Sequence, residues 1–570
     1  MATSLTSGRR RGSAIPEPSG RASSTGRRRG LTEQLAGTLW PGLAIAALVL
    51  AIGAAMLIAL LGQGIGAGGS IFEDRQLWKV TRFTFLQATL SVALSTALAL
   101  PVARALARRP RLPGRRLILT VSAVAMVVPT TVAALGLLAV WGRQGWILPA
   151  ATALGLAPRT LEIYGLSGIL LGHVFFNAPL MMRVFLNALE GVPEQHWRLA
   201  AQLGMRSADI FRLIEWPVLR TVLPGAAGLV FLLCFTSFAM VLMLGGGPAA
   251  STLEVSIYAA IRFDFDLGLA AKLSLWQMAI CILVLLVLSS GRTDWPRTEG
   301  DPAPALRLDA DRTGPRLTDG GALFLYLALV GLPLLMILLR GVNPDLLGLW
   351  RKESFVSALT ASLTIALTSA LLTLLIAWLI AEARRTLAVQ SRLGEWGGGR
   401  GLAAGLDGIT TLYLALPAIV FGTGAFLLVR GLVDPFTAAP FLVIAANVLL
   451  ALPFALRVLQ GRLTQLAQHH DLLCASLGIR RWHRLRLVEL PAMRGELGFA
   501  GGLAAALSMG DLGVIALFGN NQFQTLPWLL YQTMNRYRAD EAAAIALVLL
   551  LLALGLFAAF ECLGRGWRRC

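Results

Sequence analysis

Charged side chains are scarce in this chain of 570 residues, because Asp, Glu, Lys and Arg together make up only 14%. An ordinary soluble domain carries about 25%. Hydrophobic residues reach 56% instead, and the mean hydropathy is +0.69. This balance excludes a soluble enzyme and a disordered chain, since both depend on a much larger polar fraction.

Several chemical signatures are also missing. The five cysteines show neither metal-ligand spacing nor the even number of a disulfide framework. The chain has no G-x-x-x-x-G-K-[ST] phosphate loop. No Ser/His/Asp set or carboxylate pair stands out. We therefore expect no cofactor, no metal and no covalent catalysis, and any driven process needs a separate ATPase or an ion gradient.

Long apolar runs are what the sequence does contain, and each can cross a hydrocarbon core of about 30 Å. Hydropathy predicts an all-α membrane protein with about twelve spans. They lie at 39–61, 83–106, 117–141, 163–187, 222–245, 269–290, 321–340, 356–381, 405–430, 438–460, 496–519 and 541–563. We expect a disordered Arg-rich tail over 1–38 and a hydrophilic linker over 291–318. The tail precedes the first of two six-span units, 39–290, and the linker joins it to the second, 319–570.

The basic excess supports this topology. The net charge is +19, and the basic residues alternate between loops, with 37 on one side of the membrane and 13 on the other. Lys and Arg accumulate on the cytoplasmic side of membrane proteins. The pattern predicts that both termini are cytoplasmic. The membrane topology thus accounts for the basic excess, and nucleic acid binding is not expected.

The two six-span units are a repeat. A shift of 274 residues aligns 179–229 with 453–503 without a gap and yields 19 identities in 51 positions. Pro129 matches Pro417 once a 14-residue insertion is allowed. Because each unit has an even number of spans, the repeats are parallel, and a path for a solute is expected between them.

The clearest part of the repeat is a long loop between the fourth and fifth spans of each unit, at 188–221 and 461–495. In the first loop a short helix is predicted to end at Gly204, a residue suited to a left-handed turn. Gly478 holds the same place in the second loop. A sharp turn with basic flanks suits docking to another protein or to lipid head groups.

A second short helix is predicted after the turn. Ser207 can cap it, with Asp209 in its favourable first turn. Pro217 is expected to stop this helix before the next span, and Pro491 does the same in the second loop. Two copies in register favour a docking element over an ordinary interfacial helix.

These loops resemble the EAA loop of the permease subunits of binding-protein-dependent ABC importers. That signature is E-A-A-x-x-x-G, followed about a dozen residues later by L-P, and the Gly and Pro spacing of both loops matches it. The acidic position departs from the signature, because it is Arg198 in the first loop and Leu472 in the second.

The resemblance implies a type I permease fold in the bacterial inner membrane, with two modules fused in one chain. It implies two cytoplasmic ABC ATPase subunits that each hold one loop, and a periplasmic substrate-binding protein. The ATPase-docking residues that it implies are Ala200, Ala201, Gly204, Phe211, Pro217, Ala475, Gly478, Leu485 and Pro491.

The segment LSMGDLGVIALFG at 507–519, with the TLPWLLYQTMNRYR that follows from Thr525, is similar to the thiamine transporter permeases of that family. This similarity implies import of thiamine or its phosphates. A ferric iron permease of the same architecture is the alternative substrate class. A gradient-driven secondary transporter also has parallel six-span halves, although that class has no reason to carry paired loops.

Asp511 lies inside the eleventh predicted span, where a charge is costly unless it faces an interior or a partner. It is the candidate substrate-pathway residue, because a carboxylate can attract cationic thiamine. The other interpretation is a structural pairing with an Arg or a backbone group. Its counterpart in the first repeat is the neutral Ser237, so such a site would be asymmetric.

Other polar residues have simpler interpretations. Asn177 and Asn447 are expected to form interhelical hydrogen bonds, and His173 is expected to be a core histidine. Outward-facing loops carry acidic residues, among them Glu254 and Glu541. These either meet a periplasmic binding protein or are simply solvated.

Overall fold

The computed structural model describes residues 20–66, 74–143, 145–147, 152, 155, 163–247, 250–290, 307–311, 313–393, 399–414, 416–479, 481–520 and 522–566. Within these ranges the regular secondary structure is helical. A lipid-embedded chain must satisfy its backbone polar groups internally, and a helix does so within one segment. The predicted all-α membrane fold is confirmed.

The first repeat contains eleven helices in the described residues. They are α1 (Gly20–Gly66), α2 (Arg75–Arg108), α3 (Arg115–Val127), α4 (Thr130–Trp141), α5 (Leu166–Glu190), α6 (Glu194–Gln202), α7 (Ser207–Ile210), α8 (Trp216–Phe235), α9 (Ala239–Leu244), α10 (Leu253–Arg262) and α11 (Leu267–Ser290). A π-helical turn, Phe211–Glu215, joins α7 to α8.

A short 3-10 helix, Leu308–Asp311, precedes the second repeat. The second repeat continues with α12 (Thr313–Tyr326), α13 (Leu332–Gly341), α14 (Asp345–Leu349), α15 (Glu353–Leu393), α16 (Gly399–Leu414), α17 (Ala418–Val429), α18 (Ala439–Ser476), α19 (Arg481–Arg484), α20 (Leu490–Met509), α21 (Gly513–Phe518), α22 (Leu526–Asn535) and α23 (Ala539–Arg565). A π-helical turn, Leu485–Glu489, joins α19 to α20.

Ten helices of the described part are long and apolar enough to cross a membrane. The predicted third span is not one helix, because the chain bends by 120° between α3 and α4. Val128 is extended there, with ψ 132°, since the following Pro129 disfavours a helical conformation at the residue before it. The predicted ninth span is divided in the same way between α16 and α17, at Pro417.

The predicted fifth and eleventh spans are interrupted too. The first interruption separates α8 from α9 at 236–238, and the second separates α20 from α21 at 510–512. These positions correspond under the 274-residue shift. Each repeat therefore carries the same two breaks, one at a proline and one near the end of its long fifth span.

The first helix of each repeat packs against the other repeat. α1 lies along α15 and α17, and the hydroxyl of Tyr413 donates to the carbonyl of Val49 at 2.6 Å. Conversely, α12 packs on α2, and Tyr326 is hydrogen-bonded to Ser122 of α3 at 2.6 Å. The two repeats are therefore interlocked by an exchange of helices.

The ends of the predicted tail and linker are included in the structure. α1 begins at Gly20, so residues 20–38 of the predicted tail are helical, as an established helix gains one hydrogen bond for each residue added. The predictions for 1–19 and for 291–306 lie outside the described residues. The predicted linker is described at 307–311 and at 313–318, and the latter residues belong to α12.

Candidate functional site

Both loops contain the predicted left-handed glycine. The φ angle is +62° at Gly204 and +63° at Gly478. In the first loop the amide of Met205 donates to the carbonyl of Ala200 at 3.1 Å, which closes the turn at the end of α6. This is the C-terminal turn that favours glycine because glycine has no Cβ, and the prediction is confirmed.

The capping prediction for Ser207 is wrong. Ser207 is the first residue of α7, and its hydroxyl accepts a hydrogen bond from Nη2 of Arg108 at 2.9 Å. The cap comes from Asp209, whose Oδ2 accepts from the backbone amide of Arg206 at 3.1 Å. Asp209 therefore stabilises the first turn, as its position predicts.

The two prolines do not stop the helices. Pro217 and Pro491 lie in the first turns of α8 and α20, each directly after a π-helical turn. Proline is tolerated in a first turn, where its missing N–H would have no intrahelical partner. In the π-turn the amide of Trp216 donates to the carbonyl of Phe211, five residues earlier. Each loop thus runs directly into the following long helix.

A buried carboxylate ties each loop to the second span of its repeat. Glu215 in the first π-turn accepts from Nε of Arg104 in α2, at 2.6 Å. Its repeat counterpart Glu489 is paired with Nη1 of Arg385 in α15, at 2.7 Å. Both glutamates are buried, and removing one partner of a buried pair typically costs about 3–5 kcal/mol. The loops are therefore rigidly joined to α2 and α15.

The predicted docking residues differ in their accessibility. Those exposed are Gly204, Gly478 and Pro491; those partly buried are Ala201, Phe211, Pro217 and Leu485; and Ala200 is buried. Ala475 lies in α18, but its side chain is outside the described set. The ring of Phe211 faces inward, 4.4 Å from the Arg104 guanidinium. Ala200 and Phe211 therefore support the loop from within.

Exposed leucines on the outward face of both loops were not predicted from the sequence. Leu199, Leu203 and Leu213 are 55%, 68% and 64% exposed in the first loop. Their counterparts in the second loop are 54%, 65% and 64% exposed, and they are Leu473, Leu477 and Leu487. We call these two sets the leucine faces. Their identity in both repeats was the signal that could have revealed them, because exposed apolar groups in a matched pattern mark an interaction surface.

Helix breaks from both repeats meet at one place, which we call the junction. A Cβ built on Gly510 would lie 3.2 Å from Cα of Pro129. A Cβ built on Gly513 would lie 3.1 Å from Cβ of Ala418 and 4.0 Å from Cδ1 of Phe238. The two proline breaks and the two breaks near the ends of the fifth spans therefore pack together between the repeats.

Asp511 lies in this junction, in the break before α21. Its Oδ1 accepts from the backbone amide of Val514 at 3.3 Å, at the start of α21. Its Oδ2 is buried and receives no hydrogen bond from a described group. One oxygen thus has the backbone partner of the structural interpretation, and the other stays open to a further contact.

The family model of the inner membrane component of binding-protein-dependent transport systems matches residues 99–295 and 397–566, one segment in each repeat. The chain belongs to this family. The permease is therefore a multi-pass inner-membrane transport subunit and not an enzyme, and its family works with a substrate-binding protein and an ATPase.

Similar proteins cover nearly the whole permease. A thiamine transport system permease protein of Brucella abortus is 42% identical over 519 residues, which are 90% of this chain and 93% of the relative. The protein of that name from Salmonella typhimurium is 42% identical, over 92% of this chain and 96% of its own. The Escherichia coli protein is 41% identical over the same shares. The predicted family is confirmed.

Three polar residues inside the permease bundle, Asn177, Asn447 and His173, have partners on neighbouring helices. Asn177 of α5 donates to Sγ of Cys234 at 3.2 Å, and Asn447 of α18 donates to the hydroxyl of Ser508 at 2.9 Å. His173 is buried, and its Nδ1 is hydrogen-bonded to Ser91 at 2.9 Å. These predictions are confirmed, and the residues join α5 and α18 to neighbouring helices.

The prediction for Glu254 is wrong. This residue was expected in an outward loop, but it lies fully buried in α10, where its Oε1 accepts from Nε2 of Gln277 at 2.8 Å. α10 is too short to be found by span-length hydropathy, and it packs on α11 and α17. By contrast, Glu541 lies near a surface and is paired with Lys352 at 2.8 Å.

Proposed function

We propose that the permease moves thiamine from a periplasmic binding protein to the cytoplasm, driven by ATP. The observation that carries this proposal is its identity of about 42% to thiamine permeases over 90% of the chain. This similarity spans both loops and the junction together. It favours thiamine over ferric iron as the substrate, and family membership disfavours a gradient-driven mechanism.

The loops support docking of two ATPase copies. Their turns have the same φ angle, and their leucine faces are exposed to the same extent. Matched leucine faces on the two repeats suit two identical partners, because each partner can meet the same apolar residues. We assign the exposed leucines, with Gly204 and Gly478, to the contact, and the buried members of the predicted set to its support.

The salt bridges provide a route for the motion. When ATP closes the ATPase dimer, each loop moves with the subunit that holds it. Glu215 and Glu489 transmit this movement to α2 and α15, because both glutamates are buried and their ion pairs with Arg104 and Arg385 are short. These helices pack against α5 and α18, respectively, which pass beside the junction. The junction then opens on alternate sides of the membrane.

Asp511 belongs to the substrate pathway in this proposal. It is a carboxylate between the two repeats, and Oδ2 receives no hydrogen bond from the described part of the chain. The thiazolium ring of thiamine carries a positive charge, which a partly desolvated carboxylate attracts strongly. Ser237 at the equivalent place cannot do the same, so the pathway is asymmetric.

In the proposed orientation, both loops and both termini are cytoplasmic. This orientation is based on the division of the basic residues, with 37 on one side of the membrane and 13 on the other. The units 39–290 and 319–570 act as the two repeats. The segment 291–318 joins them in the cytoplasm, and 1–38 forms a cytoplasmic tail.

Reconstitution in liposomes tests this function. The permease with its ATPase, its binding protein and internal ATP should accumulate labelled thiamine, and omission of any one component should abolish uptake. Excess ferric iron should not compete. Uptake driven by a proton or sodium gradient alone would instead indicate a secondary transporter, and transport of iron without thiamine would indicate the ferric class.

A further inference from the structure

The end of the linker is inserted into the first docking loop. Arg307 is buried, and its Nη1 lies 2.7 Å from Oε1 of Glu215, the carboxylate that also binds Arg104. The guanidinium of Arg307 lies over the ring of Trp197 in α6, 4.3 Å from its centroid. One linker arginine therefore contacts both helical parts of the loop.

Neighbouring linker residues hold this arginine in place. Asp309 is buried and is bonded to Nη2 of Arg307 at 3.0 Å and to Nε of Arg108 at 3.1 Å. Arg109 donates to the carbonyl of Ala310 at 2.7 Å. Burial alone would raise the pKa of Asp309, but the hydrogen bonds and charge of Arg307, with the charge of Arg108, lower it below the ordinary value. Asp309 thus remains ionised at neutral pH.

In the second loop, the corresponding glutamate is paired with an arginine of the loop itself. Arg484 in α19 is buried, and its Nε lies 2.8 Å from Oε1 of Glu489. It is also paired with Asp471 of α18. Under the 274-residue shift the counterpart of Arg484 is Ile210, which is apolar. The first loop therefore lacks an internal arginine at the place where the linker supplies one.

The linker also lines a cavity beside the glycine turn. A cavity of about 90 Å³ lies next to Gly204. Loop residues such as Ala200 and Ile210 line it together with Arg307 and Asp309 of the linker. The buried linker residues therefore support the glycine turn from inside.

We propose that the linker segment Arg307–Asp309 is a positioning element of the first docking loop, and that it does for this loop what Arg484 does for the second. This role rests on the proposed function, since it assumes that the loops dock an ATPase. It makes the two docking sites unequal: the first depends on the connection between the repeats, and the second does not.

Photo-crosslinking on the assembled transporter tests this role. A benzoylphenylalanine is placed at Leu203 or at Leu477, which are matched and exposed positions, and the cross-link to the ATPase is quantified. Arg307→Ala should lower the yield from position 203 about tenfold and leave position 477 unchanged, a change that needs only about 1.4 kcal/mol. Arg484→Ala should have the reverse effect. Arg307→Lys, which keeps the charge beside Glu215, should restore part of the yield.

The outcomes separate the two proposals. If Arg307→Ala leaves position 203 unchanged, or lowers both positions equally, the linker has no loop-specific role and the inference is overturned, although docking stands. If neither position cross-links in the unaltered transporter, the docking function itself fails, and the role of the linker fails with it. A Lys variant no better than Ala would contradict positioning through Glu215.

Discussion

A single methyl group at the loop glycines tests the docking turns. Gly204 and Gly478 have φ angles near +60°, and a Cβ built at either position meets no atom within 4 Å. Substitution therefore changes the backbone energy and creates no clash with a neighbour. Any effect on the partner must come from the conformation of the turn.

The positive φ angle determines how strongly a substitution should disfavour the turn. An L-residue in the left-handed conformation costs about 1–2 kcal/mol, so Gly204→Ala should disfavour the turn by a factor of roughly 5 to 30. Asn adopts this conformation more readily, because its short polar side chain bonds locally, and a β-branched Val adopts it least. The affinity for the ATPase should fall in the order Gly, Asn, Ala, Val.

Binding of the purified ATPase to the permease in lipid nanodiscs measures this order. Gly461→Ala is the matched control, since Gly461 lies in α18 and a Cβ there also meets no atom within 4 Å. This control should bind normally, because alanine favours a helix. Unchanged affinity in Gly204→Val would refute the reasoning, as would an Asn variant weaker than the Val variant.

Three further predictions concern the loops and the junction. Leu203→Glu with Leu477→Glu should abolish measurable ATPase binding while the thermal unfolding of the permease stays unchanged, because both side chains are exposed; retained binding would remove the leucine faces from the contact. Glu215→Ala should destabilise the permease by about 3–5 kcal/mol in thermal unfolding, since it removes the buried carboxylate that pairs with Arg104 and with the buried Arg307. Glu194→Ala, which breaks the exposed pair with Arg198 in the same loop, should cost less than about 1 kcal/mol, and equal losses would contradict the assignment. Asp511→Asn should keep the backbone contact to Val514 and assemble normally but lower thiamine uptake; a normal uptake rate would exclude Asp511 from the pathway.

Features whose determining residues are neighbours in the chain could be predicted from the sequence. The left-handed turn at Gly204 depends on the backbone of a few adjacent residues, and a glycine at the end of a short helix is enough to indicate it. The end predicted at Pro217 failed because a π-turn placed this proline in the first turn of the next helix. Ser207 failed as a cap because the helix begins at Ser207 itself and the cap position belongs to Arg206.

Distant contacts explain the remaining misses. Glu215 and Arg104 are 111 positions apart, and no local pattern relates a loop glutamate to an arginine at the end of a span. The outward direction of the leucine faces also required the structure, since the sequence shows only that these leucines recur. Glu254 was missed because α10 is shorter than the window that reveals a span.

The sequence by itself determined the class of the protein, because a chain this apolar must satisfy its backbone in helices within lipid. It also determined the duplication, which is visible as residue identities between the two halves. The glycine turns follow from the sequence too, because their conformation depends on adjacent residues. Only the tertiary structure decided that the repeats exchange their first helices, that their breaks meet around Asp511, and that Arg307 enters the first loop. These features depend on contacts between segments far apart in the chain, whose energies arise only when the helices pack.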